Sequence, residues 1–143
     1  MKSLIAGCVA ILWLIAAGAS TPLDALQGLW EGESRIDWGH SFTIDGNSIA
    51  SPGCSPMTFR VIRDQEGPER FWVVGPTPTV REIGIEVLPA RAAMECDSVA
   101  PFMLVSIKPG ETHGGSIATF KSGVFEDTPY NMMSLAKWGR KAQ

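Results

Sequence analysis

His40 and His113 are the two histidines of this sequence, and each has a serine nearby. Ser41 follows His40, and Ser116 lies three residues beyond His113. A hydrolytic serine also needs an oriented base and a strained elbow that exposes it, and neither pair sits in such a context. No Gly-x-Ser-x-Gly occurs. Both histidines fall in predicted turns without a second histidine at a metal-binding spacing, whereas a metal site needs three or four converging ligands. The glycine-rich stretch from Gly110 to Gly115 lacks a following Lys-Ser/Thr and reads as a turn rather than a phosphate cradle. Met57, Met94, Met103, Met132 and Met133 offer thioethers of the kind copper binds, but they are scattered, and core packing explains them better. The expectation is a non-enzymatic protein with no catalytic residue, no metal and no cofactor.

The chain holds three cysteines, Cys8, Cys54 and Cys96, and their meaning depends on how the chain begins. Met1-Lys2-Ser3 is a short basic start, Leu4 to Ala17 is uncharged and apolar, and Ala16-Ala17-Gly18-Ala19-Ser20 presents small residues to a signal peptidase. Residues 1–19 are therefore read as a signal peptide cleaved after Ala19, leaving a single β-rich domain over 20–143. A retained anchor would want about 20 apolar residues, and here the stretch thins into small ones. Ile5-Ala6-Gly7-Cys8 has the residue order of a lipobox, but too few apolar residues precede it. Cleavage discards Cys8 and leaves an even pair, Cys54 and Cys96, expected to form a disulfide in an oxidising compartment. That bridge closes a loop of about 40 residues, worth about 3 to 4 kcal/mol in the chain-entropy model. With no CxxC redox motif, its expected role is a staple. The protein is expected in the periplasm or outside the cell, with no stable membrane insertion after cleavage.

The full chain carries 12 basic and 15 acidic side chains, and losing Lys2 makes the balance more acidic still. This leaves no electrostatic footprint for nucleic acid or for anionic membranes. Lys137, Arg140 and Lys141 form the one basic concentration, which reads as a helix C-terminus. No Asn-x-Ser/Thr sequon occurs, in keeping with a bacterial envelope protein.

Thr21-Pro22-Leu23-Asp24 predicts a short capped helical turn. From Leu29 to Trp38 the pattern alternates at period two, as it does through Ser41–Asp45, and a brief Ser48–Ala50 strand follows. Met57–Arg63 alternates again, and the polar run Asp64–Glu69 is read as the turn of a hairpin to Arg70–Val74. Thr79–Leu88 predicts a further strand, with Ile83, Ile85 and Val87 on one face. Pro89–Ser98 is open between a short helix and a loop carrying Cys96. Pro101–Ile107 and Ile117–Lys121 read as paired strands. At the end, Asp127-Thr128-Pro129 looks like a cap, and Tyr130–Trp138 predicts a C-terminal helix. The fold class is all-β: a small antiparallel barrel or sandwich of seven or eight strands, with an N-terminal helical turn and a C-terminal helix.

Gly28-Leu29-Trp30 opening the first strand after a helical turn, with a meander and a terminal helix behind it, resembles the lipocalin-like or calycin group. The resemblance implies an up-and-down barrel whose Trp30 lies near the closed end, under a basic side chain from late in the chain, for which Arg140 is the candidate. It also implies a pocket lined by Trp30, Phe42, Phe59 and Trp72. Four tryptophans follow the leader, Trp30, Trp38, Trp72 and Trp138, and such residues fill cores, line pockets or anchor interfaces.

Two functions are open. The first is an exported binding protein of the bacterial cell envelope that recognises an envelope or secreted protein. It would use loops such as Ser51–Pro56 and Pro109–Gly115, presented on the stapled frame. The second is a carrier of a small apolar ligand.

Overall fold

The computed structural model describes residues 20–33, 40–71 and 75–141, and its sheet has eight strands. The proposed leader, Trp38 and Trp72 lie outside the described residues. The order is α1 (Pro22–Leu26), β1 (Gly28–Gly32), β2 (Ser41–Asp45), β3 (Ser48–Ala50), β4 (Met57–Pro68), β5 (Thr79–Leu88), α2 (Ala90–Met94), β6 (Phe102–Ile107), β7 (Gly114–Phe120) and β8 (Met132–Lys141). Each strand pairs antiparallel with the next, and β8 pairs with β1, so the sheet closes into a barrel rather than a sandwich. Closure gives each strand a neighbour on both sides, though β3 pairs with β4 only at Met57 and Thr58.

Alternation decides what fills the barrel. Trp30, Phe42, Ile44, Phe59, Ile85 and Ile117 are all buried in one cluster, and each such side chain contributes about 1.5 to 3 kcal/mol of burial. Because connections in a meander alternate between the two ends, the β3–β4 and β6–β7 loops lie at opposite ends of the barrel.

Two expectations are corrected. The polar run Asp64–Glu69 is not the hairpin turn: β4 continues to Pro68, and its partner is β5, in register from Thr58↔Leu88 to Pro68↔Thr79. A bulge between Val61 and Arg63 shifts the register, and the charges beyond it find cross-strand partners. Asp64 meets Arg81 at 2.9 Å and Arg63 meets Glu82 at 3.0 Å. Ion pairing of this kind sustains a strand without apolar alternation. Arg70 and Phe71 are not in a strand.

The second correction concerns the end of the chain. Tyr130–Trp138 is not a helix, since β8 begins at Met132 and runs to Lys141. Thr128 does start a turn, its carbonyl accepting from Asn131 N and Met132 N at 3.0 Å each. That turn ends after one cycle because β1 and β7 both need a partner. Trp30↔Arg140 and Ile117↔Ala136 supply it. A nine-residue helix is marginal alone, whereas barrel closure satisfies two ladders at once.

A second apolar cluster lies on the outer face of the sheet, where Phe71, Leu104, Ala118, Phe120 and Phe125 are buried together. Gly84 makes room for it: a Cβ there would sit 2.5 Å from the Phe125 ring. Glu82, only 3% exposed, is held beside this cluster by Arg63 and by Arg70 Nε at 2.9 Å. Arg70 also donates to the Phe125 carbonyl at 2.9 Å, pinning the covering segment to the barrel wall.

Candidate functional site

The closed end is built around Trp30. Its indole Nε1 donates to the Leu26 carbonyl at 2.9 Å, so α1 is tied directly to β1, with Leu26 fully buried beneath it. The guanidinium of Arg140 lies over the indole, as expected of a late basic residue. Arg140 Nη1 donates to the Ala25 carbonyl and Nε to the Thr112 carbonyl. Burial pulls the Arg140 guanidinium down from its ordinary value, opposed by the nearby Glu111 carboxylate. Gln27 adds a clamp, accepting from Gly46 N at 2.7 Å and donating to the Gly46 carbonyl at 3.0 Å. Helix, arginine and turn together cover Trp30, which is fully buried.

The other end is different. Between the inner faces of β6, β7 and β8 and the connection from Ala93 to Pro101 lies a cavity of about 600 Å³. Met103, Ile117, Ala136 and Trp138 line its depth, and Val99 and Ala100 form the facing wall. Its mouth carries His40, Asp97, Ser98, Thr119, Lys121 and Ser134. The thioethers of Met94 and Met133, exposed to 75% and 56%, complete the rim. Small side chains create the space. Ala93, Ala100 and Ala136 stand where larger residues would close it.

The wall is held by the disulfide. Cys54, in the β3–β4 loop, is bonded to Cys96, with their Cα atoms 5.4 Å apart. Cys96 itself lines the cavity. Packing supports the same segment, since Ala93, Val99 and Ala100 are all buried in the main core.

Of the four aromatics implied as pocket residues, Trp30, Phe42 and Phe59 are buried in the main core, and none of the three lines this cavity. Trp72 lies outside the described residues. The core aromatics nevertheless connect to the cavity. Trp30 stacks on Phe42 at 6.2 Å, and Phe42 packs on Trp138 at 5.1 Å, so a column of rings runs from the closed end to the cavity floor. Reading β8 as a helix hid Ser134, Ala136 and Trp138 as successive inward positions. The alternation of small and large residues there was the signal available in the sequence.

His40 sits at the cavity mouth and His113 in the β6–β7 loop at the closed end. Among the described residues, no cluster of three or more His, Cys, Asp or Glu side chains could hold a metal ion. No helix among them is long and apolar enough to cross a membrane. Comparison of the chain with protein-family models, with curated proteins and with solved structures finds no match.

Proposed function

We propose that this is an exported, non-enzymatic binding protein of the bacterial cell envelope, lipocalin-like in design, that carries a small apolar ligand in the cavity at its open end. The observation that carries the reading is the cavity itself. Its volume of about 600 Å³ falls within the roughly 300 to 1,000 Å³ typical of small-molecule sites. Its depth is apolar, its polar groups are confined to the mouth, and flexible methionines at the rim suit entry of differently shaped ligands.

The lipocalin-like reading is supported by the strand order and by Arg140 over Trp30. Export is supported by the leader-like first 19 residues and by a cysteine pair of the kind that persists in oxidising compartments. Native mass spectrometry of protein purified from its own envelope tests the proposal, with a retained apolar small molecule as the expected result. Failure of the folded protein to retain any such molecule, or to take up the apolar fluorophore N-phenylnaphthylamine, would sink it.

A second reading, recognition of another protein, is favoured by Val124 and Tyr130, exposed to 60% and 87% on the connection between β7 and β8. The loops 51–56 and 109–115 cannot serve one partner face together, since they lie at opposite ends. Under this reading the same mass spectrum contains a stoichiometric protein partner instead.

A further inference from the structure

The outer wall of the barrel carries a polar recess of its own. Alternation along β6 sends Met103, Val105 and Ile107 into the main core, so Ser106 stands on the outer face with Leu104. The register carries that level across four strands: Glu82 is opposite Ser106, Ser106 opposite Ser116, and Ser116 opposite Lys137. Glu33 extends the row to the β1–β8 seam, its N–H donating to the Lys137 carbonyl at 3.0 Å. A recess of about 230 Å³ opens on this row, with Glu69 on its far side. It shares only Trp138 with the larger cavity at the open end.

Two groups in the recess lack a counterpart. Glu69 is only 8% exposed, and it is held in place by its N–H on the Pro78 carbonyl at 2.8 Å and by Phe71 N on its Oε1 at 3.0 Å. Its carboxylate has no ion-pair partner among the described residues. Ser106 is 3% exposed, and its hydroxyl is buried without a hydrogen-bond partner. A buried carboxylate without a counter-charge and a buried hydroxyl without a partner are both costly. One ligand group answers both, because an ammonium donates three protons and accepts none.

The rim supplies the opposite charge. Lys108, two residues beyond Ser106, lines the recess and is exposed. It too has no ion-pair partner among the described residues. Glu111 is turned to its own loop, where its Oε1 accepts from His113 N at 2.5 Å. We infer that the recess binds a small zwitterion, an α-amino acid, with its ammonium on Glu69 and the Ser106 hydroxyl and its carboxylate toward Lys108. Both contacts are charge-assisted. A simple amine leaves Lys108 without an anion, and a simple acid sets its charge beside Glu69. A volume below the roughly 300 to 1,000 Å³ of drug-sized sites keeps the side chain small. The recess is separate from the carrier cavity, so the inference stands or falls without it.

Calorimetric titration of the disulfide-intact protein with L-alanine, propionate and ethylamine, which share one carbon frame, tests it. Alanine is expected to bind about tenfold more tightly than either of the others. Glu69→Gln, which can still accept from Phe71 N, should weaken alanine and ethylamine about tenfold and leave propionate unchanged. Lys108→Gln should weaken alanine about threefold and spare ethylamine. Ser106→Ala should weaken alanine about fivefold without lowering the Tm, since the hydroxyl it removes has no partner in the protein. Failure of alanine to bind overturns the inference, as do equal binding of ethylamine or propionate and an alanine affinity that survives Glu69→Gln.

Discussion

The Arg140 guanidinium lies 5.3 Å from the centre of the Trp30 ring, and the two residues are also backbone partners across the β1–β8 seam. One pair thus closes the barrel and seals its end. The ring offers its electron-rich face to the cation, while the carbonyls of Ala25 and Thr112 take two of the guanidinium N–H groups.

Arg140→Ala should therefore cost about 2 to 3 kcal/mol, because it leaves two carbonyls without their donor and removes the cation–π contact. Arg140→Lys keeps the charge but not the planar fork and should fall between. Urea unfolding followed by tryptophan fluorescence measures both. A loss below about 0.5 kcal/mol for the alanine variant would be typical of an uninvolved surface site.

Replacing Cys54 and Cys96 together by serine should lower stability by about 3 to 4 kcal/mol. Because Cys96 lines the cavity, uptake of N-phenylnaphthylamine should change in the same variant, even under conditions where it remains folded. Circular dichroism and dye titration on one sample separate the two effects.

Glu82 is buried between Arg63 and Arg70. Glu82→Gln should destabilise by about 3 kcal/mol, since the partly buried Arg63 guanidinium then loses its carboxylate partner and Arg70 keeps only the more exposed Asp127 at 3.3 Å. Thermal unfolding is the readout. Limited proteolysis should in addition cut first within 121–128, the segment that Arg70 pins through the Phe125 carbonyl.

Hydrogen bonding from Arg81, helped by its charge and opposed by burial, holds the Asp64 carboxyl below its usual value. A carboxyl depressed in the folded state stabilises it above the unfolded value of about 4. That contribution is lost as pH falls from there through the lower folded value. Asp64→Asn should accordingly flatten the acid limb of a stability–pH profile below about pH 4 and leave its shape near neutrality unchanged. Parallel acid limbs in the two proteins would show that the pair carries no pH dependence.

The features legible in the sequence were those with a discrete chemical mark. Gly28-Leu29-Trp30 marked the first strand and the sealed end, and Gly28 is required there: at φ +123° its Cβ position lies 2.5 Å from the Lys141 carbonyl. Cys54 and Cys96 marked the bridge. The alternation of β2 and β5 was equally plain.

Ambiguity arose where one pattern served two periods. In β8, Met133 and Trp138 fit a helical face as well as a strand, and only the open edges of β1 and β7 decide between them. β4 misled for the opposite reason, because its charged half has no apolar period and is held by partners on β5. The cavity was illegible because it is made by alanines spread over α2, the connection after it and β8. Absence of bulk leaves no periodic trace.

Seven of the eight strand pairings join neighbours in sequence, and the eighth joins the first strand to the last. A chain made from its N-terminus therefore has β1 from early on but cannot complete it until Lys141 has been added. Until then β1 and the newest strand each present a row of unpaired amides and carbonyls to any other extended chain. The last ten residues of the barrel, Met132–Lys141, thus bear a duty out of proportion to their length. Termination just before them would leave β1–β7 as a sheet with two open edges, a species better suited to joining its neighbours than to folding alone.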